Sequence, residues 1–498
     1  MMRARCARIA ARGAAFALAF ALSSFVATAD ADDAALLAEI RNLAERLDRL
    51  EQRNREVENR LESAQTTHAR GKALADAQAQ TERSLASDRN SEQEPELATR
   101  PKAVESESLD QRKQTDQVEA LEGIEVGASL TGVVQQVNPG GAAEGARESR
   151  ANYRGDVTIT LPGGSIGDVE GKIFTHFRFG QGSGVTLRPT FTSTPNTTAF
   201  QTAASPGDAY AIVAQAWYQL TVPLRIGSFK PQSHDRVEIT GGKMDPFAFF
   251  DQNAAADDET MRFMNNAFVH NPLLDSGGDI GVDAYGFTPG VRIAYVNEMD
   301  KPDTWGASLG VFGSGPGAHF TGSLGDPFII AQLETTRRFF AGQAGTYRVY
   351  AWRNGRAADF ADTTERHSGW GLSADQHVGG AVTLFTRLGG ELRGSVRFDR
   401  ALTIGAEFGG DCWSRAADGV GIAAAFLRTS HAYRDATADG TLAGYAASGT
   451  ERTAELYYRF HINDRFDVTP DVQWIRRPGG DGSAPHVFVG GVRARVAF

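Results

Sequence analysis

Between Asp245 and Gly278 the chain gathers side chains that could do chemistry on a small polar solute. Phe247, Phe249, Phe250 and Asp251 lead into the acidic group Asp257, Asp258 and Glu259. Arg262, Phe263, Asn265, Asn266, Phe268, His270 and Asn271-Pro272 follow. Carboxylates and guanidinium groups exchange hydrogen bonds with hydroxyls, and aromatic faces cover the apolar face of a sugar ring. This mixture therefore suits a neutral polyol. The segment is too long for a tight turn. We expect it to fold into an interior space and narrow it, with a short helix around 256–268 that sets Met261, Met264 and Phe268 on one side. The alternative is a surface loop on an outer rim. Asp257, Asp258 and Glu259 lack the ordered spacing of a calcium loop, so they read as a solvated acidic patch, and no metal or other cofactor is expected. Enzyme chemistry finds little support. There is no H-E-x-x-H, no G-x-S-x-G and no cysteine pair. His367 and Ser368 are adjacent, so on a strand they face opposite sides and form no dyad.

The elements that must position this segment are strands. From Ile124 onward, short stretches alternate apolar and polar residues, with Gly, Pro, Asn and Asp between them. In Thr453–Phe460, Ala454, Leu456, Tyr458 and Phe460 share one face, and Thr453, Glu455, Tyr457 and Arg459 share the other. In Phe466–Trp474 the outer set is Phe466, Val468, Val472 and Trp474, and the inner set is Asp467, Thr469, Asp471 and Gln473. Ile212–Val222 places Ile212, Ala214, Ala216, Tyr218, Leu220 and Val222 outward, and Gln215, Trp217, Gln219 and Thr221 inward. The chain ends on Val492, Ala494, Val496 and Phe498 against Arg493 and Arg495.

A soluble sandwich would turn its apolar face inward, and alternation alone does not tell the two apart. The secretory signal at the start of the chain, the many alternating segments in series without helical interludes, and the ending on Phe498 after alternating apolar residues favour a barrel in a membrane. About seventeen strands can be marked, including 124–137, 151–161, 209–222, 290–298, 344–355, 380–389, 450–462 and 486–498. Bacterial barrels favour even numbers, and the pair 280–287 and 290–298 is the weakest. The expected fold is all-β: a transmembrane antiparallel barrel of about sixteen strands over residues 123–498, with roughly 23 residues per strand and loop. That width leaves an aqueous channel.

On this reading the channel wall carries Gln215, Trp217, Arg236, Glu238, Arg348, Trp352 and Arg459, with His176, Arg178, Tyr350 and Arg493 beside them. The infolded segment adds Asp251, Asp258, Glu259 and Arg262. Taken singly, each is first a solvated wall residue. Together they make a lumen of mixed sign, unlike the Arg and Lys rings of an anion pore.

The region before the barrel has its own organisation. Residues 1–29 have a basic start at Arg3, Arg5, Arg8 and Arg12, an apolar stretch from Ala14 to Val26, and small residues at Ala27-Thr28-Ala29, the three parts of a secretory signal. The apolar stretch is short for a membrane span. Residues 36–64 carry a heptad seam of Leu36, Ile40, Leu43, Leu47, Leu50, Asn54, Val57 and Leu61. It predicts a coiled coil that joins copies of the chain, a trimer among the options; a lone amphipathic helix is the alternative. Residues 65–122 are rich in Ala, Gln, Glu, Ser, Arg and Thr and have no aromatics, which predicts a disordered periplasmic linker. Of two cysteines, Cys6 falls in the signal and Cys412 remains, so no internal disulfide is expected. The net charge of −10 offers no basic block to neutralise phosphates, and no nucleic-acid partner is expected.

These residues resemble the OprB-type carbohydrate-selective porins from about Gly123 to Phe498. The likeness lies in Gly242-Lys243-Met244-Asp245, Phe250-Asp251, and Asp258-Glu259-Thr260-Met261-Arg262-Phe263-Met264-Asn265 through Phe268 to Asn271-Pro272. It continues in Glu455-Leu456-Tyr457-Tyr458, Pro470-Asp471-Val472-Gln473-Trp474, Arg477-Pro478-Gly479-Gly480 and Gly491-Val492-Arg493 to Phe498. The resemblance implies a sixteen-stranded outer-membrane porin for small sugars such as glucose. The last residue, Phe498, resembles the signal by which such barrels are handed to their assembly machinery. The coiled coil lies outside the family pattern. Porins for small organic anions or general solutes, and a barrel-anchored coiled-coil tether between outer membrane and cell wall, stand as alternative functions.

Overall fold

The computed structural model describes residues 123–199, 207–224, 234–275, 286–315, 318, 320–340 and 342–498. The signal, coiled-coil and linker segments expected before residue 123 lie outside the described residues.

Sixteen antiparallel strands close into one barrel, each hydrogen-bonded to its sequence neighbours. They are β1 Glu125–Val137, β2 Glu148–Ile166, β3 Val169–Gly182, β4 Tyr210–Pro223, β5 Asp235–Met244, β6 Thr288–Asp300, β7 Asp303–Phe312 and β8 Phe328–Phe340. The second half comprises β9 Gln343–Ala358, β10 Thr364–Val378, β11 Val382–Arg393, β12 Phe398–Gly409, β13 Gly419–Thr429, β14 Thr450–Asn463, β15 Phe466–Arg476 and β16 Val487–Ala497. β1 pairs with β16 from Ser129↔Ala497 to Val137↔Val489, so no edge is left open to lipid. Phe498 completes the seam: its N–H donates to the Ala128 carbonyl at 2.8 Å.

The marked strands sit in this ring, with one exception. β5 pairs directly with β6, from Asp235↔Asn297 to Met244↔Thr288. The stretch 290–298 is therefore part of β6, and the ring has no strand between β5 and β6. Residues 280–285 lie outside the described residues, while Gly286 and Phe287 precede β6 as irregular backbone. Sixteen strands, an even number, result.

Outward positions carry an apolar belt. Leu130, Ile173, Ile239, Ile293, Leu309, Leu333, Val349, Ile404 and Ile422 are all exposed, as lipid-facing residues of such a barrel are. Inward positions are polar or aromatic: Thr453, Glu455, Tyr457, Asp467, Thr469, Asp471 and Gln473 are buried, as alternation predicts. One strand departs from the pattern. A bulge between His176 and Phe177 of β3 brings Gln215 opposite the first and Val213 opposite the second. It reverses the alternation, so Val213 is exposed to lipid and Ala214 is fully buried. The outward run therefore holds only from Ala216 onward, because the extra residue shifts every earlier side chain to the other face.

Inward glycines let wall aromatics lie flat. A Cβ on Gly421 would fall 2.1 Å from the Tyr457 ring, and one on Gly371 would fall 2.2 Å from that of Tyr350. The connections at one end are short, for example 301–302, 341–342 and 464–465; those at the other, 183–209, 245–287 and 430–449, are long. Short turns mark the periplasmic end of bacterial barrels.

Candidate functional site

The long connection after β5 turns into the barrel instead of over its rim. Asp245 opens it. Its N–H donates to Gln215 Oε1 of β4 at 3.2 Å, and its carboxylate accepts from the Phe247 N–H at 2.9 Å, capping a short 3-10 turn over Pro246–Ala248. The segment then crosses to the wall formed by β8–β15 and is fastened there.

The deepest fastening is Asp251, whose side chain is inaccessible to solvent. Arg387 of β11 donates from Nε to its carboxylate at 3.0–3.1 Å and from Nη2 to its main-chain carbonyl at 2.9 Å. The Tyr350 hydroxyl of β9 donates to the same carboxylate at 2.6 Å, and the Asn271 N–H does so at 2.6 Å. Arg387 Nη1 reaches on to the Phe268 carbonyl at 2.7 Å. A fully satisfied buried ion pair of this kind fixes one arrangement of the chain. Farther along, Glu455 of β14 accepts from the Met264 and Asn265 N–H groups at 2.6 and 3.0 Å, and Asn265 Nδ2 donates to Gln473 Oε1 of β15 at 2.9 Å. Arg493 of β16 donates from Nη1 to the carbonyls of Glu259 and Arg262, both at 2.8 Å.

These wall contacts replace the helix expected at 256–268. Main-chain N–H groups that would bond backward along a helix donate to Glu455, and helix is confined to single turns at Asn266–Val269 and Pro272–Asp275. Met264 and Phe268 are buried and Met261 is half-buried, so they share no single exposed side.

A second connection, after β3, also enters. Its Thr194 carbonyl accepts from the Asn266 N–H at 2.9 Å, and its Pro195 carbonyl accepts from Gln135 and Gln473 side chains at 2.9 and 2.8 Å. Glu451, buried in the wall, accepts from the Phe191 N–H and the Ser193 hydroxyl at 2.9 and 2.6 Å.

A cavity of about 720 Å³ lies between the infolded segment and the wall of β1–β4. On its wall side, Arg154, His176 and Arg178 surround Asp156: Arg154 Nε at 2.9 Å, His176 Nε2 and Arg178 Nε at 2.8 Å. On the loop side are Asp257, Asp258 and Glu259. Glu259 bridges back to Arg154 Nη1 at 2.7 Å. Burial pushes the Glu259 carboxyl up, but Arg154 and Arg178 outweigh it and hold it below the ordinary range. Phe247 lies 3.7 Å from the His270 ring at 6° to it, and the Arg178 guanidinium sits 5.2 Å over Phe287. The result is a cavity with two arginines, a histidine and Asp156 on the wall side, the carboxylates of Asp257, Asp258 and Glu259 on the loop side, and ring faces between.

The family model for carbohydrate-selective porins of the OprB family matches residues 175–498, which run from within β3 to the end of the barrel and include both infolded connections. The chain belongs to the OprB family. Over 49 residues it is 39% identical to Porin B of Pseudomonas aeruginosa, a stretch covering 10% of this chain and 11% of that protein. A solved structure of Pseudomonas putida OprB at high pH superposes with a TM-score of 0.60 at 17% identity, over 78% of this chain and 96% of that one. Family and sixteen-stranded barrel together place this OprB-family chain in the outer membrane of a Gram-negative envelope.

The sequence-marked residues separate into groups on this OprB barrel. Gln215, Asp258 and Glu259 meet at the cavity, with His176 and Arg178. Arg262 lies beside it, 3.0 Å from Glu407, which Arg459 also approaches at 3.7 Å. Arg236 pairs with Glu238 at 2.9 Å and Glu238 with Arg292 at 3.1 Å, while Arg348 pairs with Asp375 at 3.1 Å; these sit toward the short-turn end. Three aromatic or acidic residues do not face the channel as expected. Asp251 is enclosed by its latch. Trp352 packs among Tyr350, Phe328 and Ile330 beneath the infolded segment. Trp217 is covered by Phe174, stacked at 4.8 Å, and by Phe249. In each case the loop supplies the covering surface that alternation along one strand cannot reveal.

The sequence reading missed Arg154, Asp156 and Arg387. Each alternates with outward-facing neighbours, Tyr153 and Val157 or Leu384 and Leu388, and alternation could have found them. For the connection after β3, its uncharged Thr, Ser and Pro run gives no local sign of infolding.

Proposed function

We propose that this barrel is a passive pore for small neutral sugars of glucose size, which pass through the cavity between the infolded segment and β1–β4. One observation carries this reading. The arginines that face the lumen on β2, β3, β5, β6, β9 and β14 all have carboxylate partners within 4 Å. Such a wall offers hydroxyls alternating donors and acceptors without a field that favours one ion sign. Phe247 and Phe287 add apolar faces at the same level. The family's carbohydrate selectivity supports the assignment. His367 and Ser368 form no dyad: His367 is buried and bonded to Glu365, while Ser368 lies on the other face of its strand. Residues 36–64 would join copies of the chain in the periplasm, and Phe498 would address the barrel to its assembly machinery.

The test is single-channel current from the full mature chain in a planar bilayer, with glucose, maltose and small organic anions titrated in turn. Current reduced by millimolar sugar supports a sugar-binding pore. Current insensitive to sugar but blocked by anions removes the sugar assignment and keeps the pore. A folded barrel without conductance leaves an anchor for the coiled coil as the better account.

A further inference from the structure

Arginines stand on the outward, lipid-side face of seven successive strands at the long-loop end of the barrel. Arg353 of β9 continues the outward parity of Val349 and Ala351. Arg366 of β10 shares the face of Ser368 and Trp370. Arg393 of β11 lies opposite Ser368, which itself lies opposite Arg353. Next, Arg400 of β12 is directly opposite Arg428 of β13, and Arg452 of β14 is directly opposite Arg476 of β15. All but Arg428, whose side chain is 43% exposed, fall in the most exposed class of residue.

The same row on the preceding strands is apolar. Val291 pairs with Val311, Val311 with Ile329, and Ile329 with Arg353. The change from aliphatic to arginine occurs at a single strand boundary.

Like charges directly across a strand pair destabilise a sheet. Two such pairs occur here, and the protein neutralises little of the charge. Asp399 holds Arg428 at 2.7–2.8 Å, and Asp326 approaches Arg366 at 3.8 Å. Among the described residues, no carboxylate lies within ion-pair distance of Arg353, Arg393, Arg400, Arg452 or Arg476. The row stands beyond the apolar belt at the long-loop end, the end that meets the outer leaflet in bacterial barrels. Planar guanidinium groups bind phosphate oxygens in pairs.

We infer that the outer face of β9–β15 is a docking surface for the phosphorylated glycolipid of the outer leaflet, its phosphates seated between Arg400 and Arg428 and between Arg452 and Arg476. The lipid supplies the counter-charge the sheet lacks, and its acyl chains lie along Ile404, Ile422 and Phe426 below.

The test uses the full chain in detergent, titrated with purified lipid A, with the same lipid after removal of its phosphates, and with inorganic phosphate. Thermal unfolding and native mass spectrometry report binding. Lipid A should raise the unfolding temperature and remain attached in the gas phase, and the dephosphorylated lipid and inorganic phosphate should do neither. The R452Q/R476Q variant should bind lipid A about 30-fold more weakly, each arginine contributing on the order of a tenfold factor or less. Its single-channel conductance should be unchanged, because neither side chain faces the lumen. Equal binding by variant and parent overturns the inference. So does stabilisation by the dephosphorylated lipid, which would mean acyl contacts alone, or by inorganic phosphate, which would mean a free-anion site.

Discussion

Asp251 and Arg387 illustrate how much a single buried pair can hold. Arg387 is tied at once to the Asp251 carboxylate, the Asp251 carbonyl and the Phe268 carbonyl, so it clamps two distant parts of the infolded segment to β11. Removing one partner leaves the other charge buried and alone, at a cost of about 3–5 kcal/mol. Asp251→Ala and Arg387→Ala should each release the segment, with a wider and noisier single-channel current and a lower unfolding temperature; an unchanged current would show that the remaining tethers suffice. His270 sets a second condition. Burial opposes its imidazolium, but the Asp275 carboxylate at 3.0 Å, aided by Asp245, raises its pKa above the ordinary value. A raised folded-state pKa stabilises at pH values below the unfolded pKa of about 6.5, and the contribution is lost as pH rises through the folded value. The unfolding temperature should therefore fall as pH rises through that window, and His270→Gln should flatten this part of the profile.

Single strands were legible because their period is set by the pleat and by lipid on one side. The outward and inward sets of Thr453–Phe460 and Phe466–Trp474 follow from alternation alone. Where a strand is bulged, as at Val213, the period carries no warning. The stretch 280–287 alternates, yet β5 pairs directly with β6, since alternation states only what a strand would look like. The infolded segment was legible in composition but not in conformation. Its shape is imposed by Glu455, Arg387 and Tyr350, which come from strands far away in sequence. The belt itself gives an element-scale prediction. Ile293→Arg, at an outward position of β6, should cost about 2–4 kcal/mol if it lies near the bilayer midplane. Urea titration of folding into lipid vesicles measures it, and a cost near zero would place Ile293 at an interface.

Across the whole molecule, the net charge of −10 does not appear as a strongly acidic passage. Most lumen arginines occur in opposed pairs with carboxylates, from Arg154–Glu259 near the constriction to Arg236–Glu238 near the short-turn end, while Arg493 bonds to main-chain carbonyls instead. A salt gradient across a bilayer holding the channel should give a reversal potential small beside the Nernst limit for either ion. A potential near that limit would contradict the pairing as the determinant of selectivity. Neutralising one member should shift it predictably: Glu259→Gln toward anions and Arg178→Gln toward cations.

The segment that narrows the barrel is moored to β8–β15, while the passage it leaves runs along β1–β4. Mooring and filtering are thus written largely in separate stretches of the gene, with Arg154 and Gln215 serving both. A mutational library confined to the inward positions of β1–β4, sparing Gln135, Asn152, Arg154 and Gln215, could explore new solutes while the fastenings stay intact, so this quarter of the barrel offers an engineer a surface to rewrite and the rest a frame to leave alone.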